Sequence, residues 1–388
     1  MDVVGRFDFS TAGEILFGAG RLREVGPRAA SLGGRALVVT GGTPERARRL
    51  LGLLAAEGVE AVLFSAAGEP TLDRVREGVA AANEGDCDLV IGFGGGSALD
   101  AAKAIAALVT NGGDPLDYVE VIGRGEALTK PSLPCLAIPT TAGTGAEVTR
   151  NAVLASPDHR RKVSLRSPFL LPCAAVVDPE LTYSAPPDVT AYTGLDALAQ
   201  LIEPFVSTRA NPLVDGLCRE GMARVARSLR RAYARGDDRQ ARADMSLASL
   251  LGGLALANAG LGAVHGLAGP LGGMLAAPHG ALCGVLLPHV MSANIRALQG
   301  SRAGGAALAR YEEAARILTG RPGASALEGA AWVAALADEL GVPRLSRYGM
   351  SERDIGEAVE MAMQASSMKA NPVALGEGQV REILAAAT

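Results

Sequence analysis

The chain has 388 residues, more than a single hydrophobic core usually supports, so we expect two domains. Hydrophobic residues make up 48% and charged residues 20%, and the net charge of −4 argues against a nucleic-acid partner. The five scattered cysteines never occur as CxxC, which indicates reduced, mostly buried thiols. We recognise no signal peptide and no apolar run long enough for a bilayer, so the sequence predicts a soluble cytoplasmic protein without a membrane partner.

The first half of the sequence alternates short apolar segments with amphipathic ones. The apolar segments read as buried strands and the amphipathic ones as helices. This alternation is typical of a doubly wound, mostly parallel sheet, in which ligands bind at the carboxyl ends of the strands. Strands are predicted within 14–18, 36–40, 61–65, 88–97, 134–149 and 174–181, and helices at 22–33, 44–58, 71–84 and 98–111.

The pattern changes after the proline pair Pro186 and Pro187. From residue 191 onward nearly every segment has helical periodicity, with breaks at Asn/Pro, Gly/Asp and Pro/Gly pairs. We therefore predict an α/β domain at 1–186 and an all-α domain at 187–388. The predicted helices lie at 191–206, 212–235, 240–258, 280–298, 304–317, 325–340, 351–365 and 377–387.

A glycine-rich loop follows the fourth predicted strand in GFGGGSALDAAK (92–103). Glycine lets the backbone approach a bulky ligand, and the N-terminus of the next helix, with Ser97 as its predicted N-cap, attracts phosphate. The alternative is a tight turn that binds nothing. The spacing also differs from the common GxGxxG fingerprint.

Two further loops carry candidate cofactor contacts. TTAGTGAEVT (140–149) places four threonines around two glycines, and their hydroxyls offer hydrogen bonds to an amide, a ribose or a phosphate. A capped polar turn would account for only one or two of them. The strand at 36–40 ends in Gly41 and Gly42, without the acidic residue that normally binds the ribose 2′-hydroxyl and repels a 2′-phosphate. Because Arg46 lies close by, we expect NADP to be accepted.

A candidate metal site comes from the helical half. Asp196 and Gln200 are four residues apart in a helical segment and share one face, while His265 and His279 lie in glycine-rich surroundings. A carboxylate with two imidazoles is a plausible ligand set for a divalent cation. The alternative is that Asp196 caps a helix or forms an ion pair and that the histidines are core groups.

Five motifs together resemble those of the iron-containing (group III) alcohol dehydrogenase family: GGGSALDAAK, IPTTAGTGAEVT, VVDPEL, GLDAL and VHG…PHG…LLPHVM. They occur in that family's order and spacing over nearly the whole chain. The resemblance implies a Rossmann-like dinucleotide-binding domain, a helical metal-binding domain and a cleft between them, an architecture shared with dehydroquinate synthase. It also implies an NAD(P)-linked alcohol dehydrogenase or aldehyde reductase. In that family, hydride passes between the nicotinamide and an alcohol or aldehyde held by Fe²⁺, or sometimes Zn²⁺.

The resemblance assigns roles to single residues. Asp196, His265 and His279 match three of the four metal-ligand positions and are the implied catalytic centre. The fourth position, a histidine in typical members, is Gln200, whose neutral carbonyl oxygen is a weaker donor. A second family histidine, placed near the nicotinamide, is Gly269 here. The predicted cofactor contacts are Gly41, Gly95, Gly96, Ser97, Asp100, Thr140, Thr141, Thr144, Thr149, Lys162 and Leu181.

Two other functions are compatible with these patterns. A lyase resembling dehydroquinate synthase would need basic residues for a phosphorylated, acidic substrate, and the helical half has no obvious set of them. A non-catalytic nucleotide-binding protein would explain Gln200 and Gly269, but not the intact Asp196, His265 and His279. Under either dehydrogenase or lyase chemistry the partner is a small molecule, and a homodimer is the expected assembly.

Overall fold

The computed structural model describes residues 6–301 and 304–388, which divide into two compact units. We call them the α/β unit and the helical unit. The α/β unit consists of Thr11–Thr141 and Gly145–Tyr183, and the helical unit of the described residues in Met1–Ser10, Ala142–Thr144 and Ser184–Thr388.

Six parallel strands form the central sheet of the α/β unit, and two further strands form an antiparallel hairpin. The strands are β1 (Ile15–Phe17), β2 (Arg35–Thr40), β3 (Glu60–Ser65), β4 (Leu89–Gly94), β5 (Cys135–Pro139), β6 (Asn151–Ser156), β7 (Arg161–Arg166) and β8 (Ala174–Val177). The sheet has the order β1–β8–β5–β4–β2–β3, and β6 pairs with β7. The predicted parallel sheet is confirmed, whereas the hairpin was not predicted.

Helices cover both faces of this sheet. They are α1 (Val25–Leu32), α2 (Arg48–Ala56), α3 (Leu72–Glu84), α4 (Gly96–Asn111) and the short α5 (Pro115–Tyr118). Side chains alternate between the two faces of β2, so Val38 joins the core that contains Leu54 of α2, and Val39 joins the core that contains Ile105 of α4. The sheet is therefore doubly wound, as predicted, with strands that are apolar on both sides.

The helical unit is built around α6. Its helices are α6 (Pro187–Val206), α7 (Pro212–Ala234), α8 (Arg239–Ala259), α9 (Ala263–Met274), α10 (His279–Gln299), α11 (Gly305–Thr319), α12 (Ala326–Glu339), α13 (Ile355–Gln364) and α14 (Glu377–Ala387). Helix α6 is buried continuously from Gly194 to Val206 and packs against α7, α8 and α10. Helix α7 approaches it closely at Gly221, where a Cβ atom would lie 2.3 Å from the Leu201 side chain.

Helix α10 is, within the described residues, the one helix that is individually long and apolar enough to span a membrane. However, 72% of its most apolar window is buried inside the protein. Helices α8 and α9 pass the same test only as a pair, and they are bent by 100° at their junction. Burial of this extent is typical of a core helix.

Candidate metal centre and cofactor loops

A polar stripe runs along one face of the buried helix α6. Asp196, Gln200 and Glu203 are spaced i, i+4 and i+7, so they point to the same side of the helix. Their exposed fractions are only 2%, 3% and 5%. Because buried carboxylates are stable only when paired, hydrogen-bonded or bound to a metal, this face requires partners from neighbouring helices.

His265, in the first turn of α9, bridges the two carboxylates of this stripe. Its Nδ1 lies 2.6 Å from Glu203 Oε2 and its Nε2 lies 3.3 Å from Asp196 Oδ1. The other oxygen of Glu203 accepts a 2.7 Å hydrogen bond from the backbone N–H of Val264, which fixes this carboxylate. Metal-binding histidines commonly present one ring nitrogen to a carboxylate in this manner, and this leaves the other nitrogen for the ion.

His279 and Cys283 complete the cluster from the first two turns of α10. Residue 280 is a glycine, and a Cβ atom there would lie 2.3 Å from the Tyr192 carbonyl oxygen, so glycine lets α10 begin against α6. The Sγ of Cys283 lies 3.6 Å from His279 Nε2 and 3.8 Å from His265 Nε2. One ligand atom from each of Asp196, His265, His279 and Cys283 lies within 4.8 Å of all the others.

The electrostatics of the cluster favour positive charge at its centre. Burial opposes ionisation of Asp196, but the hydrogen bond from His265 and the charges of His279 and His265 outweigh it and lower the pKa of Asp196 to about 2. Burial alone would lower the pKa of His265, yet Cys283, Glu203 and Asp196 raise it well above its usual value. A divalent cation supplies the positive charge that these carboxylates stabilise.

Gln200 provides a second observation that fits a cation. Its amide group is hydrogen-bonded to the Asp196 carboxylate and helps to lower the pKa of that carboxyl. Its Oε1 atom is buried and has no hydrogen-bond partner within the described residues. Since an unpaired buried carbonyl is costly, this oxygen and the neighbouring donor set are compatible with a bound metal ion.

The predicted cofactor loops meet at one edge of the sheet in the α/β unit. Gly41 follows β2, Gly95 follows β4 and Thr140 follows β5, and these three strands are neighbours. The backbone N–H of Thr140 donates to the Gly94 carbonyl at 2.8 Å, which joins two of the loops. A Cβ atom at Gly95 would lie 3.3 Å from Thr141 Oγ1, so the glycine keeps this approach open. Carboxyl ends of parallel strands are where such sheets bind nucleotides.

The prediction that Ser97 is the N-cap of α4 is wrong. The helix begins at Gly96, and Gly95 is its N-cap, with φ −75° and ψ −176°. Ser97 is therefore inside the first turn. The reason is that consecutive glycines carry the chain directly from β4 into the helix without a side-chain cap. The first-turn N–H groups of a helix lack partners within the helix, so the N-terminus of α4 is still suited to binding an anion.

Other predicted cofactor residues have well-defined partners. Asp100 accepts a 3.0 Å hydrogen bond from the Val153 N–H and pairs with the buried Lys103 at 2.9 Å. Lys103 also donates to Thr149 Oγ1 at 3.0 Å. Lys162 Nζ lies 2.8 Å from Glu69 Oε1. The remaining two are Leu181, whose carbonyl accepts from Arg46 at 3.0 Å, and Thr144, which groups with the helical unit.

Comparison with known proteins identifies the family. The model of iron-containing alcohol dehydrogenases matches residues 12–179, and that of the C-terminal region of the Fe-containing alcohol dehydrogenase family matches residues 190–388. The chain belongs to the iron-containing alcohol dehydrogenase family. It is 35% identical to the 1,3-propanediol dehydrogenase of Klebsiella pneumoniae over 98% of this chain and 97% of that protein.

Two further comparisons agree with this family assignment. Long-chain-alcohol dehydrogenase 1 of Geobacillus thermodenitrificans (strain NG80-2) is 48% identical over 58% of this chain and 56% of that protein. The crystal structure of a 1,3-propanediol oxidoreductase superposes with a TM-score of 0.91 at 34% identity, covering 99% of this chain and 100% of that one. The predicted family, fold class and enzyme class are confirmed.

As a member of the iron-containing alcohol dehydrogenase family, the chain is an oxidoreductase that acts on a CH–OH group with NAD(P) and a divalent metal. None of the comparisons favours a lyase or a non-catalytic protein. The substrates are small-molecule alcohols or aldehydes.

Two residues of the alcohol dehydrogenase's cluster were missed by sequence reasoning. Cys283 is four residues after His279, so both share a face of α10, and Glu203 is seven residues after Asp196 on α6. Both spacings are visible in the sequence. The sequence does not show that α6, α9 and α10 pack together. Only this packing brings Cys283 and Glu203 next to the histidines.

Proposed function

We propose that this alcohol dehydrogenase binds its divalent cation, Fe²⁺ or Zn²⁺, through Asp196, His265 and His279, with Gln200 beside them. The observation that carries the proposal is the convergence of these side chains from three helices within 4.8 Å. Two imidazoles and a carboxylate form the three-ligand set common to catalytic metal sites.

The surrounding residues prepare this ligand set. Glu203 orients His265 by accepting from Nδ1, and Gln200 holds the Asp196 carboxylate through its amide. A cation held by these residues would supply Lewis acidity to the substrate oxygen, and a bound nicotinamide would supply the hydride chemistry. His279 has the most exposed side chain of the three proposed ligands, at 32%, so substrate would approach the cluster from its side.

The cofactor is proposed to lie at the edge formed by the loops after β2, β4 and β5. Gly41, Gly95, Gly96 and Ser97 would receive the diphosphate, with the N-terminus of α4 supplying N–H donors. Thr140, Thr141, Thr144 and Thr149 would contact phosphate, ribose or nicotinamide, and Asp100, Lys162 and Leu181 would line or support the site. Because no acidic residue ends β2, we propose that NADP is accepted as well as NAD.

Gly269 occupies the position of the second family histidine and has open surroundings. A Cβ atom at this position would have no heavy atom within 4 Å among the described residues, so the site is open. The proton that accompanies hydride transfer is therefore proposed to pass through water, the cofactor ribose or the substrate itself. The rate of proton delivery would then depend on these groups, because residue 269 has no side chain that could carry the proton.

The proposed setting is a cytoplasmic homodimer with no nucleic-acid or membrane partner. The net charge of −4 supports the absence of a nucleic-acid partner, and the burial of α10 supports the absence of a membrane partner. Size-exclusion chromatography with light scattering measures the assembly. A purely monomeric protein at micromolar concentration would contradict the dimer.

The activity is tested by following the absorbance of NADH or NADPH with a panel of short-chain aldehydes, and the reverse reaction with the corresponding alcohols. Wild type is expected to turn over at least one of them. Asp196→Ala should lower kcat/KM by about a hundredfold or more, since changes even at groups that only support a metal ligand commonly cost ten- to a hundredfold.

Asp237→Ala, which removes an exposed carboxylate of the same unit, is the matched control and should retain activity. Cofactor binding without turnover on the whole panel would contradict the proposed function. Unchanged turnover in Asp196→Ala would contradict the proposed metal site.

A further inference from the structure

Cys283 has the geometry of a fourth metal ligand. We propose that its thiolate coordinates the divalent cation together with Asp196, His265 and His279, in the place of the family histidine that Gln200 replaces. This inference rests on the proposed function and specifies its metal site further. It predicts a sulfur-containing site in a family whose typical ligand set has none.

The distances within the cluster support sulfur coordination. Zinc–sulfur bonds are about 2.3 Å and zinc–nitrogen bonds about 2.0–2.1 Å, so tetrahedral ligands of these types lie about 3.5 Å apart. Cys283 Sγ lies 3.6 Å from His279 Nε2 and 3.8 Å from His265 Nε2. The oxygen–nitrogen separation in such a tetrahedron is about 3.3 Å, and Asp196 Oδ1 lies 3.3 Å from His265 Nε2.

Gln200 is the other candidate for the fourth ligand. Its amide oxygen is neutral and is a weaker donor to Fe²⁺ or Zn²⁺ than a thiolate. Cys283 is fully buried, and its sulfur lies 3.6 Å from His279 Nε2 and 3.8 Å from His265 Nε2. A structural thiol in an apolar core would be surrounded by apolar side chains instead.

Coordination of this kind changes the chemistry of the ion. As the sulfur–metal bond forms, the thiol proton is released to solvent and no redox change occurs. A thiolate is a softer and stronger donor than an amide oxygen, so it compensates for the loss of the imidazole at position 200. It also shifts the preference of the site towards Zn²⁺, relative to a site built from imidazole and carboxylate alone.

Cobalt substitution tests the proposal directly. Co²⁺ is added to metal-free wild type and the near-ultraviolet region is scanned for a thiolate-to-cobalt charge-transfer band. The band is expected in wild type and in Cys218→Ser, which removes another buried cysteine of the helical unit, and should be absent in Cys283→Ser. Zn²⁺ affinity of Cys283→Ser, measured by competition with a chromogenic chelator, should fall by about tenfold or more.

The outcomes distinguish a failure of Cys283 as a ligand from a failure of the metal site itself. If Co²⁺ binds to wild type without a charge-transfer band, Cys283 is not a ligand, while the metal site of the proposed function stands. If Co²⁺ does not bind to wild type at all, the proposed function loses its metal site as well. A band that persists in Cys283→Ser also overturns the inference.

X-ray absorption of the zinc-loaded wild type keeps the inference testable if Cys283→Ser does not fold. The zinc edge should show one sulfur neighbour at about 2.3 Å in addition to nitrogen and oxygen neighbours. A coordination sphere that contains only nitrogen and oxygen would overturn the inference.

Discussion

Glu203 orients His265 through a pair of hydrogen bonds made by its two carboxylate oxygens. One oxygen accepts from His265 Nδ1 and the other from the Val264 N–H. In Glu203→Gln the amide retains only one acceptor, so the ring loses its fixed tautomer and orientation. We expect metal affinity to fall by about ten- to a hundredfold, as for other changes to groups that support a metal ligand. Competition with a chromogenic chelator measures this loss.

The control for this variant is Glu313→Gln, which removes a carboxylate from a half-exposed ion pair with Arg219. Its metal affinity should equal that of wild type, because surface ion pairs have small and local effects. Equal affinities of Glu203→Gln and wild type would show that Glu203 does not position His265.

Glu147 is a buried carboxyl in the threonine-rich loop and predicts a pH dependence of stability. Burial raises its pKa from 4.5 to about 7, and its Oε1 has no hydrogen-bond partner within the described residues. A raised pKa means that the folded state holds the proton more tightly than the unfolded chain. The resulting stabilisation is complete below pH 4.5 and is lost as the pH rises through 7.

Glu147→Gln removes this dependence. Relative to the variant, the free energy of unfolding of wild type should fall by about 2.5 kcal/mol between pH 5 and pH 8, measured by urea denaturation. The exposed Glu84→Gln serves as the control and should follow the wild-type pH profile. A constant difference between wild type and Glu147→Gln across this range would contradict the prediction.

For single residues, the sequence allowed three proposed metal ligands to be grouped although they lie far apart along the chain. Asp196, His265 and His279 were grouped by motif resemblance, and the structure places their ligand atoms within 4.8 Å. Cys283 and Glu203 were not grouped with them, because a lone cysteine or glutamate is usually a core thiol or a surface charge. Only the packing of three helices shows that both face the histidines.

Among the elements, helix α4 is held to the hairpin and to the threonine loop by Lys103. This side chain is fully buried and contacts Asp100, Thr149 and the carbonyls of Ala146 and Asn151. Asp100 in turn accepts from β6 through the Val153 N–H. A single buried ion pair therefore joins three parts of the proposed cofactor site.

Lys103→Met leaves the Asp100 carboxylate buried without its counter-ion. We expect the free energy of unfolding to fall by about 3–5 kcal/mol, and cofactor affinity to fall with it because the threonine loop is released. The double variant Lys103→Met/Asp100→Asn should recover part of the stability, since no charge is then left unpaired. Denaturant titration and fluorescence titration with NADH measure the two effects.

Lys130→Met removes an exposed lysine of the same unit and is expected to change neither quantity measurably. If Lys103→Met is as stable as Lys130→Met, the buried pair does not hold these elements together.

The predicted helices and strands agree with the structure where the hydrophobic pattern is strong. They are missed where tertiary packing determines the secondary structure. Strands β2 and β4 are unbroken apolar runs with glycine after them, and their predicted positions agree with the structure to within a few residues. Helix α9 was not predicted, since its segment contains four glycines and Pro270 and has low helix propensity. Its buried apolar stripe packs against α10 and α13, and this tertiary contact outweighs propensity.

The hairpin β6–β7 was missed for a different reason. Its strands show alternating burial, but they carry the charged segment around Arg161 and Lys162, which reads as a surface loop. Antiparallel pairing over six residues on each strand, from Asn151 opposite Arg166 to Ser156 opposite Arg161, stabilises them. Strand pairing is a non-local interaction, so the sequence pattern alone does not reveal it.

For the whole molecule, each unit has the secondary structure that its proposed role requires: cofactor binding in the α/β unit and metal binding in the helical unit. The α/β unit brings three loops to one edge of a parallel sheet, and the helical unit buries a polar stripe of α6 that requires partners from α9 and α10. Family membership gives the reaction class, and we propose that the reaction takes place at the cluster of Asp196, His265 and His279. We propose that turnover depends on a cation held by Asp196, His265 and His279.

The rate of NAD(P)H oxidation with an accepted aldehyde, measured on protein stripped of metal and then reloaded with it, tests this dependence. We predict that the stripped protein loses nearly all of its turnover and that one equivalent of Fe²⁺ or Zn²⁺ per chain restores it. The Asp196→Ala protein should not be restored by either ion. Full aldehyde reduction by the rigorously stripped wild type would show that turnover does not need the cation.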